Sequence, residues 1–180
     1  MNVILLILTV LGLIIATILI AAVFVQKEYR VHREIIINKP RAGIFNFIKY
    51  LRNQDSFSKW ATMDPEMKKE YKGTDGAPGF VSAWDSKVKN VGQGEQQTTL
   101  IIENERIESA LKFIKPFPGK AKAIMSTESV DENHTRVKWI LESGMKYPMN
   151  IMLLFMNMDK MMGKDLEEGL KNLKTLQEKI

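Results

Sequence analysis

The sequence predicts an α+β protein in which an antiparallel sheet wraps round a long C-terminal helix, preceded by one N-terminal transmembrane helix. Three observations support this class: an uncharged apolar run at the N-terminus, a central series of alternating strand patterns separated by turn residues, and a Met-rich helical pattern at the end. The predicted order is one strand, two short helices, six strands and one helix. That order indicates a curved sheet that grips a helix over an apolar space, an arrangement suited to holding a hydrophobic molecule.

The first element is the run over residues 3–25, which contains no charged side chain. As a helix it would span about 35 Å, enough to cross a hydrocarbon core of about 30 Å. A cleaved secretory signal is the alternative. However, no Lys or Arg precedes the run, its apolar core is too long, and no clear cleavage site lies near Ala21 and Ala22. We therefore predict a transmembrane anchor over 1–26 and a globular domain over 27–180.

The charges that flank the apolar run predict the orientation of the chain. Lys27, Arg30 and Arg33 follow the run, whereas no basic residue precedes it, so the positive-inside rule places the globular domain in the cytoplasm. The formal net charge of +5 favours contact with anionic headgroups. Lys residues are scattered among acidic ones rather than clustered with aromatics, so nucleic acid is not an expected partner. The chain has no cysteine, which excludes disulfides and thiolate sites.

A strand and two short helices are predicted directly after the apolar run. Alternation over 29–38 predicts the strand, which leaves hardly any linker between membrane and domain. Pro40 suits the first position of a helix. Apolar residues then recur at helical spacing: Ile44, Phe45, Phe47, Ile48 and Leu51. Asp55 or Ser56 is expected to cap a second short helix that runs through Trp60.

The next part of the chain changes to strand periodicity. Gly, Pro, Asn and Asp cluster in turns at short intervals, and the segments between them alternate apolar and polar residues. The pattern predicts an antiparallel meander with one solvent-exposed face. The six predicted strands cover 67–72, 80–88, 96–102, 106–113, 120–125 and 136–142.

The last predicted element is a helix from Pro148 to the C-terminus. Its second half carries an apolar stripe: Leu166, Leu170, Leu173 and Ile180. Its first half is apolar nearly all round, so it must be covered on several sides, or must face a cavity or a membrane. Seven of the eleven Met residues lie between 145 and 162. Met side chains adapt their shape, so this segment is either a deformable pocket wall or a filler of core gaps.

Bulky apolar side chains on these elements are the candidate ligand-binding residues. A tryptophan supplies a large apolar area and one N–H donor, although plain core packing is the simpler explanation for each of them. Phe117, between Pro116 and Pro118, is expected to guard an entrance. The candidate wall residues are Trp60, Trp84, Phe113, Met125, Trp139, Met149, Met152, Phe155 and Met156.

The inventory of catalytic side chains is small. His32 is expected in a strand and His134 in a turn, and neither has a partner placed by local spacing. The sequence contains no nucleophile elbow, phosphate-binding loop, zinc-protease motif or dinucleotide fingerprint. Without cysteine and with two distant histidines, a metal site is not expected. The sequence therefore favours binding over catalysis, with no catalytic residue, metal or cofactor assigned.

Five fragments in a characteristic order resemble the START-like, or SRPBCC, superfamily, which includes polyketide cyclase/dehydrase-like and Bet v 1-like proteins. The resemblance covers residues 29–180 and rests on order and spacing together. The fragments are Ile35 to Pro40 before a helix with Phe45; Arg52-Asn53 before Trp60; Tyr71-x-Gly73 with Gly79 and Trp84; Val91-Gly92-x-Gly94 before Glu105-x-Ile107-x-x-x-Leu111-x-Phe113; and Thr135-Arg136-Val137-x-Trp139.

The resemblance implies a helix-grip fold with a hydrophobic cavity between the sheet and the C-terminal helix. Members of the superfamily bind lipids, sterols, polyketides and other apolar molecules, and a minority catalyse reactions on them. The leading hypothesis is therefore a membrane-anchored module that binds a hydrophobic small molecule or lipid. The alternatives are an enzyme of the cyclase or hydrolase type that acts on an apolar substrate, and a scaffold whose cavity is filled. Fold alone does not decide among them.

Overall fold

The computed structural model of the protein describes residues 2–179. The chain forms the predicted order of elements, with an α+β domain that follows an N-terminal helix. The helices are α1 Val3–Phe24, α2 Arg41–Ile48, α3 Lys59–Thr62 and α4 Met158–Glu178, with 3₁₀ helices at Leu51–Ser56 and Met149–Leu154. The strands are β1 Glu28–Ile37, β2 Lys68–Lys72, β3 Val81–Asp85, β4 Gln93–Ile102, β5 Arg106–Lys115, β6 Gly119–Ser129 and β7 Thr135–Gly144.

Helix α1 is apolar along its whole length and exposes nearly all of its side chains. It has 22 residues and a mean hydropathy of 3.2, so it is long and apolar enough to cross a membrane. The hydroxyls of Thr9 and Thr17 donate to the carbonyls of Leu5 and Leu13, each at 2.8 Å, so both are satisfied within the helix. Of its side chains, Ala22 near the C-terminal end is buried. The helix therefore meets the domain at that end.

The seven strands form one antiparallel sheet in the order β1-β7-β6-β5-β4-β3-β2. Strands β2 to β7 follow one another as a meander, and β1 closes the sheet at the other edge by pairing with β7. Strand β1 begins at Glu28 and α1 ends at Phe24, so only residues 25–27 separate them. The predicted α+β fold class is confirmed, and so is the sheet formed by one early strand and six later ones.

Helix α4 packs on one face of this sheet, chiefly on β1, and we call this the inner face. Leu166, Leu170 and Leu173 of the predicted stripe are buried there, each stabilising the fold by about 1.5–3 kcal/mol. Gly169 allows close approach, because a Cβ at this position would lie 2.8 Å from the Trp139 ring. Ile180, the last member of the predicted stripe, lies outside the described residues.

The predicted continuous helix from Pro148 is wrong in its first half. Residues Met149–Leu154 form a 3₁₀ helix, and α4 begins only at Met158. The break has a local cause, because the Asn157 side chain accepts a hydrogen bond from the Lys160 backbone N–H at 2.8 Å and so caps a new helix. The 3₁₀ helix is held elsewhere, at the end of α1 through Asn150.

Two of the predicted helix starts are also wrong in detail. Pro40 is the N-cap of α2 and not its first helical residue, since its ψ of 144° is extended. Neither Asp55 nor Ser56 caps α3, whose N-cap is Ser58. The hydroxyl of Ser56 donates to the Asn53 carbonyl at 2.6 Å, which closes the preceding 3₁₀ turn. The Asp55 carboxylate turns toward β2 instead.

Candidate functional site

A cavity of about 310 Å³ lies between the inner face of the sheet and helices α3 and α4. It is lined mostly by aromatic and aliphatic side chains, and Asp55, Lys69, Ser82 and Gln96 form a polar group toward the β2 side. The interior between sheet and helix is therefore not completely filled by the protein's own atoms. This volume lies at the low end of the range of about 300–1,000 Å³ that is typical of ligand pockets.

One row of inward side chains crosses the sheet from the β3 side to β1 and forms the floor of the cavity. Because neighbouring strands pair in register, residues opposite each other point to the same face. The row changes in character along its length, from polar on β3 and β4 to apolar on β5 and β6. Its members are Ser82, Gln96, Leu111, Ala121, Ser143 and Tyr29.

A second, parallel row contains Trp84 on β3, Gly94 on β4 and Phe113 on β5. The indole of Trp84 lies across the backbone of β4 at Gly94. Gly94 makes this possible, because a Cβ there would stand 2.6 Å from Cζ2 of the indole. The ring meets Phe113 edge-on at 6.2 Å between centroids. Its Nε1–H donates to the Val91 carbonyl at 3.3 Å, so the donor of this half-buried ring is satisfied. Trp84 and Phe113 thus form a fixed aromatic wall of the cavity.

Trp139 closes the inner end of the cavity. It is only 4% exposed and meets Trp60 edge-on at 6.2 Å and Phe57 at 5.8 Å between centroids. Helix α4 supplies Met162 and Leu166 on the opposite side. Trp60, Trp139, Met162 and Leu166 make this part of the cavity wall largely apolar.

The polar end of the cavity is built around an ion pair. Oδ1 of Asp55 lies 2.7 Å from Nζ of Lys69, and Oδ2 accepts a hydrogen bond from the Tyr71 hydroxyl at 2.6 Å. Burial and the neighbouring Asp55 carboxylate raise the pKa of Tyr71 to about 12. Asp55 and Lys69 both line the cavity, as do Gln54 and Gln96. A ligand with one polar group would find donors and acceptors at this end.

The loop between β5 and β6 borders the cavity on its outer side. Phe117 is 82% exposed and lines the cavity together with Pro116 and Lys115. Asn90 and Val91, before β4, complete this side. Phe117 is therefore at the margin of the cavity, where an entrance residue was expected.

The structure brings four of the nine predicted wall residues to this cavity: Trp60, Trp84, Phe113 and Trp139. Met125 lies in the hydrophobic core and is 3% exposed; its Sδ is 4.0 Å from Nε2 of Gln54, which does line the cavity. The register explains this placement, since Met125 lies between Ile107 on β5 and Trp139 on β7, and all three belong to the hydrophobic core.

The four other predicted wall residues, Met149, Met152, Phe155 and Met156, do not line the cavity. Their segment docks on the end of α1 and not on the sheet, because the chain forms a 3₁₀ helix before α4 begins. Met149 and Met152 are exposed on that 3₁₀ helix. Phe155 and Met156 line a second, more open groove beside the end of α1. Of the methionines between 145 and 162, Met162 is the one that lines the cavity.

Several cavity residues were not predicted: Tyr29, Gln54, Asp55, Lys69, Ser82, Gln96, Leu111 and Leu141. Part of the signal was present in the strand alternation, since Ser82 precedes Trp84 by two residues and Leu111 precedes Phe113 by two. Residues two apart in a strand share a face, so both could have been assigned to the inner face. The pairing of Asp55 with Lys69 depends on how the 3₁₀ helix Leu51–Ser56 folds back on β2 and has no local signal.

The described part of the chain offers no evident metal centre or histidine-based catalytic group. Residues 2–179 contain no group of three His, Cys, Asp or Glu side chains placed to hold a metal ion. His32 is exposed on β1. Nδ1 of His134 lies 2.7 Å from Oδ1 of Asp131 within a turn, and this contact lowers the pKa of Asp131. Neither histidine lines the cavity.

The fold is that of the helix-grip, Bet v 1-like proteins. Norcoclaurine synthase from Thalictrum flavum, solved with dopamine and hydroxybenzaldehyde, has a TM-score of 0.61 at 12% identity, with 89% of this chain and 91% of that chain covered. The protein Ara h 8.0201 gives a TM-score of 0.54 at 14% identity, covering 83% and 97%.

A protein from Nitrosospira multiformis gives a TM-score of 0.58 at 15% identity and covers 82% of this chain and 94% of its own. No protein-family model matches the chain, and no curated protein matches it in sequence. At identities this low, the likeness establishes the fold, and the activity must be argued from the site itself.

Proposed function

We propose that the protein is a membrane-anchored binding module for a hydrophobic small molecule or lipid, held in the cavity between the sheet and α4. The observation that carries the proposal is the cavity itself, about 310 Å³ walled by Trp84, Phe113, Trp139 and Leu141. Each methylene group of a ligand that leaves water for such walls gains about 0.8 kcal/mol. An apolar molecule is therefore the class of ligand that this surface favours.

The distribution of polar groups supports an amphipathic ligand in a defined orientation. Lys69, Asp55 and Gln96 lie on the β2 side, whereas Met162 and Leu166 lie on the helix side. A ligand hydroxyl, carbonyl or carboxylate is expected near Lys69, with the apolar part directed toward Met162. The small volume favours a compact ligand, or only part of a long lipid chain.

The anchoring is part of the proposal. Helix α1 would span the bilayer as residues 1–26, and 27–180 would form the binding domain on the cytoplasmic side. Lys27 and Arg30 follow the helix directly and are exposed, as the positive-inside rule requires. A cavity held at the membrane surface shortens the path of an apolar ligand through water, which gives the anchor a purpose.

An enzyme of the cyclase or hydrolase type is the second candidate, and one observation favours it. Asp55 and Lys69 place a carboxylate and an amine at the cavity, and these are groups that can act in acid–base chemistry. Both oxygens of Asp55 already have partners, in Lys69 and Tyr71. Because both oxygens are already paired, Asp55 is better suited to hold Lys69 in position for contact with a ligand than to act as a free general base.

Native mass spectrometry of the full chain, extracted in mild detergent, tests the proposal. We expect an added mass from a lipid or other apolar molecule, or uptake of one from a total lipid extract. In the variant A121W, an indole would fill the floor of the cavity, so the added mass should disappear. The control A110W places the same side chain on the exposed face of β5 and should keep it. A wild-type protein that shows no added mass and takes up no molecule from a total lipid extract would contradict the proposal.

A further inference from the structure

A second concave surface, which we call the α1 groove, lies where the N-terminal helix meets the domain. One side is formed by residues 24–26, 28 and 29, at the end of α1 and the start of β1. The other side is formed by residues 153–158, between the second 3₁₀ helix and α4. The groove therefore begins at the last residues of α1, the one described helix that is both long and apolar enough to cross a membrane.

Asn150 fixes this groove to α1. Its side chain is fully buried, and Nδ2 donates to the carbonyls of Ala22 at 2.7 Å and Val25 at 2.9 Å. These carbonyls are among those that the end of a helix leaves without partners. The 3₁₀ helix Met149–Leu154 is thereby held at the end of α1. If α1 crosses a bilayer, the groove must lie at the level of the bilayer surface.

The rim of the groove exposes large apolar side chains. Phe24 is 84% exposed and Phe155 is 85% exposed, and Leu154 beside it is exposed as well. Aromatic and aliphatic side chains that project beside a membrane-spanning helix are expected to enter the headgroup and upper acyl region. The continuity of this rim with α1 identifies the surface that covers it as the bilayer.

Tyr29 lines both the α1 groove and the cavity, so the two spaces meet at this residue. It is the last member of the inward row that forms the cavity floor, next to Ser143 on β7. On the opposite side, Met158 lines the groove and Met162 lines the cavity, one helical turn apart on α4. One tyrosine and two flexible methionines therefore form the partition between the two spaces.

We propose that the α1 groove is the bilayer-side entrance of the cavity, through which the apolar chain of a membrane lipid passes between Tyr29 and the Met158–Met162 face of α4. The inference rests on the proposed function and adds a route to it. The small volume of the cavity is consistent with this route, because a long chain could fill the cavity and leave its remainder in the groove. An entrance at Phe117 is the competing route.

The absence of cysteine from the sequence permits a direct test with single engineered cysteines. Q26C, carrying a bulky maleimide, would obstruct the α1 groove, and F117C with the same label would obstruct the loop side. Q97C, on the exposed side of β4, is the matched control. Each labelled full-length protein is placed in nanodiscs containing a photoactivatable fatty acid, and the rate of crosslinking to peptides of β5–β7 is measured. Equilibrium binding of the same fatty acid in detergent is measured in parallel.

We expect the Q26C label to slow loading from the bilayer at least tenfold, with equilibrium binding in detergent within twofold of the control. Y29A, which joins groove and cavity, should load faster than the wild type. Unchanged loading in labelled Q26C, or slowing only in labelled F117C, would overturn the proposed entrance while leaving the binding function intact. Failure of the wild-type protein to bind in detergent would overturn the binding function, and the entrance with it.

Discussion

The close approach of Trp84 to the β4 backbone gives a sharp prediction for the variant G94A. The added Cβ would lie 2.6 Å from Cζ2 of the indole and 2.7 Å from the carbonyl oxygen of Lys112, whereas ordinary contacts begin at 3.4 Å. Either the indole retreats by about 0.8 Å or the pairing of β4 with β5 opens. The carbonyl belongs to the backbone of a paired strand, so it yields less easily than a side chain would.

The expected cost follows from two opposing effects. Overpacking of this kind costs about 1–3 kcal/mol, and the entropy gained by replacing Gly with Ala in a strand offsets about 0.5–1 kcal/mol. Taken at the middle of both ranges, the net loss is about 1 kcal/mol in the free energy of unfolding. For a protein of this length, that loss lowers the Tm by about 2–4 °C. Because Trp84 lines the cavity, ligand binding should weaken in the same variant.

Thermal unfolding of the full chain in micelles, followed by circular dichroism, measures this effect. G43A is the matched control, because Gly43 lies in α2 with no atom within 4 Å of its added Cβ. That variant should keep or raise the Tm, since Ala favours a helix over Gly. A Tm for G94A equal to or above that of G43A would refute the placement of the indole across β4.

Two further predictions concern the α1 junction and the polar end of the cavity. N150A removes both hydrogen bonds to α1, at a cost of about 1–3 kcal/mol in the free energy of unfolding. Amide hydrogen exchange at residues 149–156 should therefore become faster. Unchanged exchange would contradict the conclusion that Asn150 holds this segment at the end of α1. The pKa of Tyr71 is raised to about 12, so its contribution to stability is complete below its ordinary value of 10.0 and is lost as pH rises toward 12. When the free energy of unfolding is measured between pH 10 and pH 12, Y71F should therefore lose less of it than the wild type. An identical loss in both proteins would show that Tyr71 does not cause the alkaline destabilisation.

The fold was predictable from the sequence because its signals are local. Alternation along each strand and turn residues between strands specify the meander, and the buried stripe of Leu166, Leu170 and Leu173 specifies how α4 faces the sheet. Trp84 and Phe113 could be placed on the cavity wall for the same reason. Large apolar residues on the inner face of a sheet have few other places to lie.

The rest of the site depends on contacts between distant segments. The pairing of Asp55 with Lys69 arises where a short helix folds back on β2, and nothing in the local sequence indicates it. The Met-rich segment misled the prediction because composition does not show which part of the fold a flexible apolar segment contacts. Asn150 holds this segment at the end of α1, and the sequence around a single asparagine in an apolar run does not indicate that contact.

Site-mapped photocrosslinking in membranes tests most directly whether a membrane-derived ligand occupies the cavity. The full-length protein in nanodiscs is irradiated with a photoactivatable lipid, and the modified residues are identified by peptide mass spectrometry. Binding in the cavity requires labels at Leu111, Ala121 and Leu141, which face inward from β5, β6 and β7. Labels confined to α1 and residues 149–156, with none on those strands, would mean that the protein contacts lipid at its surface but does not bind it in the cavity. That result would contradict the proposed function.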